Sequence, residues 1–203
     1  MANNADEKRI KILETAKRRF AHYGMAKTTM AEIAKDLSFS KALLYYYFPD
    51  KNSLYAAVVE HIIEESEAHV QQAINKTKTV LQGVLALLEI SMDFKKKYFY
   101  LLEYTILMRK ELPSELDEMI MCSFNSQQRD LESIFLRGIK NQELKEIDVE
   151  QTARIFIFGT FGMRLSVVKD FKNDFIPDKS EFDAILAMQK KFAEIFVEGL
   201  KKH

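Results

Sequence analysis

The chain has one cysteine, three prolines, six glycines and no tryptophan among its 203 residues. The lone thiol, Cys122, cannot close an internal disulfide, which excludes a disulfide-stapled secreted scaffold. Pro49, Pro113, Pro177 and a few scattered glycines supply too little turn chemistry for an all-β fold of many hairpins. No run of about 18 apolar residues is present, so nothing reads as a membrane span. The opening stretch, MANNADEKRIKILETAKRRF, carries charge where a secretory signal needs an apolar centre. The expectation is a reduced, soluble, cytoplasmic protein. The parts of an enzyme are also lacking. None of the four histidines (22, 61, 69 and 203) stands in a motif beside a serine or cysteine nucleophile, and there is neither a phosphate-cradling glycine loop nor an HExxH. No cofactor is implied.

What is present is 47% hydrophobic and 30% charged, a composition that folds around a core. Net charge is zero, but unevenly spread. Residues 1–51 carry ten Lys and Arg against six Asp and Glu, while residues 52–203 carry twenty against twenty-four. A basic head on an acidic body points to a polyanion as partner for the head alone.

The apolar periodicity is helical almost throughout. A first helix is expected over 6–23, with Ile10, Leu13, Ala16 and Phe20 as its stripe, Asp6 and Glu7 at its positive end, and Gly24 placed for a left-handed cap. Thr29 and Glu32 form a capping box for a second helix that buries Met30, Ile33, Ala34 and Leu37. After a break at Ser38-Phe39 a third helix opens near Ser40, and Pro49 closes the unit. Two short helices joined by a tight turn read as a helix-turn-helix. Longer amphipathic helices are expected over 51–74, 77–93, 97–109, 115–139, 149–171 and 181–202, with Ser114, Asp148 and Ser180 as N-caps.

The segment 28–51, TTMAEIAKDLSFSKALLYYYFPDK, carries the chemistry. At about 100° per residue, Tyr45, Tyr46 and Tyr47 sweep about 200° of helix surface. They cannot all enter one small core, so at least one projects outward beside Ser40 and Lys41, where a phenol and an ammonium suit phosphates and base edges. Three tyrosines in a partly wet core is the other reading of the same run.

Thr28-Thr29, Ile33-Ala34, Ser40-Lys41, the run Leu44 to Phe48, Lys51, and the preceding Phe20-Ala21-His22-Tyr23-Gly24 together resemble the N-terminal domain of the TetR family of transcriptional regulators. The resemblance covers roughly residues 8 to 60. It implies an all-α fold: a three-helix helix-turn-helix DNA-binding domain over 1–50, and a larger C-terminal helical domain over 51–203 for ligand binding and dimerisation. It also implies DNA contacts by Thr28, Thr29, Ser40, Lys41, Ala42, Leu43, Tyr45, Tyr46, Tyr47 and Lys51. Thr29 would hold a phosphate at a helix N-terminus, Lys41 suits the guanine O6/N7 edge, and Lys51 would grip another phosphate. Two residues depart from the family pattern. Ser38 stands where glycine is usual, costing about 1–2 kcal/mol if the site needs positive φ. Ala42 also replaces a common glycine, which favours the helix by about 1 kcal/mol.

In the remainder, residues 155–163 are apolar on every side, so that helix is expected to be buried all round, with Gly159 and Gly162 sharing a face for close helix approach. In the last helix Ile185, Met188, Phe192, Ile195 and Gly199 step by three and four, a seam for a partner helix. A homodimer through Phe158, Gly159, Gly162, Ile185, Met188, Phe192 and Ile195 follows, and a two-fold pair would set its recognition helices about 34–36 Å apart on a near-palindromic operator. Burial within one chain is the alternative. Phe94, Tyr98, Tyr104, Met108, Met121 and Phe124 form a Met- and aromatic-rich stretch that either is plain core or lines a pocket for a small, largely apolar effector, with Glu103 and Arg109 either on the solvated surface or as polar anchors for it. His61, Glu65 and His69 fall four apart on one helix face, a weak metal pattern against the alternative of a solvated face. The expected function is a ligand-responsive homodimeric repressor that binds a double-stranded operator and is released by its effector. The alternative is a dimeric small-molecule-binding or scaffold module that no longer reads DNA.

Overall fold

The computed structural model describes residues 4–99, 101, 115–167 and 181–202, with backbone alone at 4, 115–124 and 164–167. Among them are eight helices: α1 Asn4–Lys27, α2 Met30–Asp36, α3 Lys41–Tyr47, α4 Lys51–Ile74, α5 Val80–Lys97, α6 Glu115–Lys140, α7 Val149–Val167 and α8 Glu181–Leu200. The described residues form no strand, and a single backbone bridge joins Leu144 to Lys201. None of the described helices is long and apolar enough to cross a membrane. The helix expected over 97–109 lies largely outside the described residues, as do the caps Ser114 and Ser180.

Packing divides the chain into two compact units, Met1–Glu65 with Lys97–Met121, and Ser66–Lys96 with Cys122–His203. By packing, then, the first unit takes in the opening turns of α4 as well as the three short helices placed in residues 1–50.

In the first unit α1 buries Ile12, Leu13, Ala16 and Phe20. Ile10, assigned to this stripe from the sequence, is half exposed, because the buried face starts two residues later at Ile12. Phe20 meets Tyr55 of α4 edge-on, 5.3 Å between ring centroids. Gly24 takes φ 77° and ψ 164°, so the positive φ is real but the residue makes a kink inside α1 instead of a left-handed cap. The turn ending α2 is a Schellman motif, with Phe39 N–H bonded to Ala34 O at 2.9 Å and Ser38 N–H to Lys35 O at 3.0 Å. Ser38 carries the positive φ of that motif, 55°. Ser38→Gly is therefore expected to raise the melting temperature by about 2–4 °C, the response of a chain this size to a gain of about 1 kcal/mol; an unchanged or lower melt contradicts the strain.

The second unit has its core in Val80, Val84 and Leu87 of α5, Leu131, Ile134 and Phe135 of α6, Phe156 of α7 and Ala193 and Val197 of α8. Gly138 is required by packing: a Cβ there falls 2.3 Å from Val80 Cγ2. Helix ends in this unit are satisfied from afar. Arg137 donates to Ile74 O at the end of α4 and to Thr77 Oγ1, and the Glu143 carboxylate accepts from Val80 N–H at 2.9 Å. Asp148 caps α7 through Gln151 N–H at 3.0 Å. α5 starts three residues after the position set by Thr77, whose hydroxyl bonds back to Ile74 O; Thr79 and Gln82 form the cap instead.

Asp130 on α6 is buried, and its carboxylate accepts from the Gln71 amide of α4. Burial pushes its pKa up from the ordinary 3.8, with Gln71 acting the other way and the charge of Glu67 adding to the rise. A raised carboxyl favours the folded state fully below its unfolded value and loses that contribution as pH climbs through the folded value. Asp130→Asn is thus expected to raise the melting temperature by about 2–4 °C at neutral pH and to match the parent in acid. A variant melting lower at pH 7 contradicts this.

Candidate nucleic-acid interface

The face presented by α2, α3 and the start of α4 is built from local caps. Thr29 accepts from Glu32 N–H and donates its hydroxyl and its own N–H to the Glu32 carboxylate, at 2.7 and 2.9 Å, completing the box expected from sequence. These bonds hold the Glu32 carboxyl below its ordinary range. A carboxylate already sits at the N-terminus of α2, and a phosphate arriving at Thr29 meets its charge. Thr28 lies elsewhere. It is fully buried with its hydroxyl on Gly24 O at 2.9 Å, so it fastens the α1–α2 turn and does not face a duplex. Ser40 caps α3 by accepting from Leu43 N–H at 3.1 Å.

On α3, Lys41 and Ala42 are exposed, Leu43 is half-buried, and Leu44 fills the core. The tyrosine run divides as its helical spacing requires. Tyr46 is 81% exposed and Tyr45 48% exposed, while half-buried Tyr47 supports Tyr46 edge-on at 5.4 Å. Arg9 stacks over Phe48 at 5.6 Å, and Arg19 grips both carboxylate oxygens of Asp36, tying α1 to the end of α2. Lys51 has work inside the fold that the sequence did not reveal. Its ammonium donates to Met25 O at 3.1 Å and Thr28 O at 3.2 Å, which leaves one of its three N–H groups for a phosphate.

Residues 12–58 match the family model described as bacterial regulatory proteins, tetR family. That stretch, the head of the chain, carries the DNA-binding domain typical of the TetR family. Its head is 32% identical over 74 residues to the nucleoid occlusion factor SlmA of Mannheimia succiniciproducens, a stretch that covers 36% of this chain and 34% of that protein. The chain thus spans about a third of the length of that relative. A longer match, 22% identical over 191 residues, covers 90% of the chain and 94% of the HTH-type transcriptional regulator YhgD of Bacillus subtilis. Among solved structures, a transcriptional regulator from Cytophaga hutchinsonii superposes with a TM-score of 0.82 at 24% identity, covering 94% of this chain and 97% of that one. A TetR-family regulator from Pectobacterium atrosepticum superposes at 0.72 with 20% identity, covering 99% and 98%. These likenesses fix the fold as a helix-turn-helix head followed by helices.

Behind this TetR-like head several sequence-predicted sites fare differently. Within one chain the apolar helix α7 buries Phe156 and Ile157, while Ile155, Phe158 and Phe161 are more than half exposed. Gly159 and Gly162 do not share one open face, since a Cβ on Gly159 meets the Phe192 ring of α8 at 3.0 Å and one on Gly162 meets nothing. On α8 the inward line is Phe182, Ile185, Gln189, Ala193 and Val197, so Ile185 belongs to the chain's own core, whereas Met188 and Ile195 are exposed and Phe192 is stacked on Phe156. The pocket residues do not come together as one described cavity. Phe94 lines a groove of about 340 Å³ in the second unit with His69, Lys76, Ile90 and Asp93. Tyr98 is buried in the first unit and lines a cleft of about 910 Å³ with Glu14, Lys17 and Glu65. Tyr104, Met108, Glu103 and Arg109 lie outside the described residues, as do the side chains of Met121 and Phe124. The weak metal pattern dissolves into other contacts: His61 bonds Glu14, Glu65 bonds Lys17, and His69 packs on Phe94. Among the described residues no group of three ligating side chains assembles. Sequence reasoning missed Glu14 and Lys17 as partners, because nothing in a linear pattern reports a contact 47 or 48 positions away.

Proposed function

We propose that this protein is a homodimeric DNA-binding transcriptional regulator, acting as a repressor that a small, largely apolar effector releases from a near-palindromic operator. The observation that carries the DNA half is α3: an exposed lysine and two exposed tyrosines stand on a helix whose own core residue, Leu44, is fully buried. A helix anchored this way presents its outer face to a major groove without unfolding its supports. Lys41 serves base reading, Tyr45 and Tyr46 serve phosphates and bases, Thr29 and Ser40 sit at helix starts beside the backbone, and Lys51 offers its remaining N–H to a phosphate. Dimerisation uses the exposed residues of α7 and α8, which as an apolar patch on one chain call for a second copy.

Release follows as a population shift, in which the effector binds the DNA-incompetent state better by about 1–3 kcal/mol. α4 begins in the first unit at Lys51 and ends in the second at Ile74, so one helix takes part in both. An effector seated at Phe94 meets Asp93 and Lys76 as well as Ile90, which favours an apolar molecule with one polar end.

The deciding experiment is selection of duplexes from a random pool, followed by titration of the enriched duplex against salt. Enriched paired half-sites and a steep fall of affinity with salt support the reading. A protein that enriches no duplex at low salt refutes it.

A further inference from the structure

Four side chains of the first unit form a polar cluster that joins α1 to α4. Lys17 is 7% exposed, and its ammonium donates to Glu14 Oε1 at 2.7 Å and to Glu65 Oε2 at 2.8 Å. The same Glu14 oxygen lies 2.7 Å from His61 Nε2. Tyr98 reaches the Glu65 oxygen through its hydroxyl at 3.5 Å. Arg18 and Lys97 stand on the wall of the same cleft, and the charge of Lys97 acts on Glu65 as well.

Burial opposes every charge in this cluster, yet the mutual bonds prevail: Lys17 is held above its ordinary 10.5, and Glu14 and Glu65 below 4.5. Both carboxylates and the ammonium therefore stay charged across the neutral range. With a neutral imidazole, the Glu14 carboxylate shares the Lys17 ammonium with Glu65, which also feels the charge of Lys97. A protonated imidazole gives Glu14 a cationic partner of its own. Imidazole is the side chain whose charge changes most readily between about pH 5 and pH 8.

A buried ion pair of this kind contributes little net stability, and its best-attested use is to fix register. Register matters here because α1 leads through Gly24 and Thr28 directly to Thr29, while α4 starts at Lys51, whose ammonium bonds the carbonyls of Met25 and Thr28. A slip of α1 along α4 moves Thr29 relative to Lys51, the two positions that the proposed function sets beside duplex phosphates.

We propose that Glu14, Lys17, His61 and Glu65 are positioning residues for DNA binding, and that protonation of His61 tightens the α1–α4 register so that duplex affinity rises as pH falls. The proposal rests on the DNA-binding reading above. A clamp closed before the encounter lowers the ordering cost of binding, which sets the direction of the effect.

The test titrates a labelled duplex, enriched from a random pool by the parent protein, at constant ionic strength between about pH 8 and about pH 5.5. The ratio of parent affinity to that of His61→Gln is expected to grow about threefold or more towards acid, the scale of a half-exposed charge pair. A ratio that is flat or falls towards acid overturns the proposal while leaving DNA binding intact. Enrichment of no duplex at any pH overturns the DNA-binding reading itself, and this proposal with it. Lys17→Met is expected to lose about tenfold in affinity at every pH. Should that variant fail to melt cooperatively, the His61→Gln series decides alone, since a merely structural role for His61 leaves the ratio independent of pH.

Discussion

Replacing Ile195 with aspartate is expected to leave a folded but monomeric chain whose affinity for a duplex with two half-sites drops by about 10²–10⁴-fold. Ile195 is 64% exposed on α8, so a carboxylate there disturbs no packing within the chain. Met188 lies seven positions earlier on the same helix side, and Ile155, Phe158 and Phe161 step by three along α7. Together they leave an apolar patch where monomeric proteins normally carry polar residues. A two-fold partner brings this patch against its own copy and sets two aspartates into an apolar centre, where an unpaired charge costs several kcal/mol. The loss in DNA affinity then comes from avidity alone: each head still binds a single half-site as before, but the second encounter is no longer intramolecular. Sedimentation equilibrium reads the oligomeric state, and anisotropy on one-site and two-site duplexes reads the rest. A variant that stays dimeric, or a monomer that binds the two-site duplex as tightly as the parent, removes the α7–α8 interface from the account. Ile185→Asp offers the contrast, because Ile185 is fully buried and its substitution unfolds the chain instead.

That contrast also shows where the sequence was readable and where it was not. Local signals were legible because their physics is local. The capping box of Thr29 and Glu32, the cap at Asp148, the start of α4 at Lys51 after Pro49 and the outward tyrosines of α3 all depend on neighbours within four positions. The long helices α4 and α6 were legible for the same reason. Register errors arose where two local signals compete. Thr77 and Thr79 both suit an N-cap, and only the bond from the Thr77 hydroxyl back to Ile74 O assigns the first of them to the end of α4. Ile10 and Ile12 both fit the stripe of α1, and tertiary packing chose Ile12.

The seam residues of α8 divide between core and surface for a different reason. A step of three and four places residues on one side of a helix but does not say which side turns inward, and Ile185 and Met188 differ by enough angle to part company. Partners far apart in the chain were not legible at all. The histidine and glutamate spaced by four on α4 read as a solvated face or, weakly, as a metal pattern, whereas the structure gives each a partner on α1. Thr28 and Lys51 carry family-like roles in sequence, yet their hydrogen bonds turn one of them inward entirely and occupy two of the three donors of the other.

That double engagement of Lys51 separates it from Lys41 in an experiment. Lys41 is exposed at the start of α3 and makes no contact among the described residues on which the fold depends, so Lys41→Ala is expected to leave the melting temperature unchanged. Its loss falls on recognition: about 1–3 kcal/mol on the enriched duplex, with preference relaxed at one base pair and much less change on random DNA. Lys51→Ala removes the proposed phosphate contact and two bonds to the carbonyls of Met25 and Thr28. Charge-assisted bonds of this type contribute about 1.5–3 kcal/mol, discounted here because the side chain is half-buried, so the melt falls by several degrees. Binding weakens on enriched and random duplexes alike, and the slope of affinity against salt declines by about one. The freed carbonyls loosen the turn that places Thr29, which makes the Lys51→Ala loss exceed that of one phosphate contact. Matched losses for the two variants on both duplexes refute this division between a reading lysine and a fastening one. A Lys51→Ala melt equal to the parent's refutes the fastening role by itself.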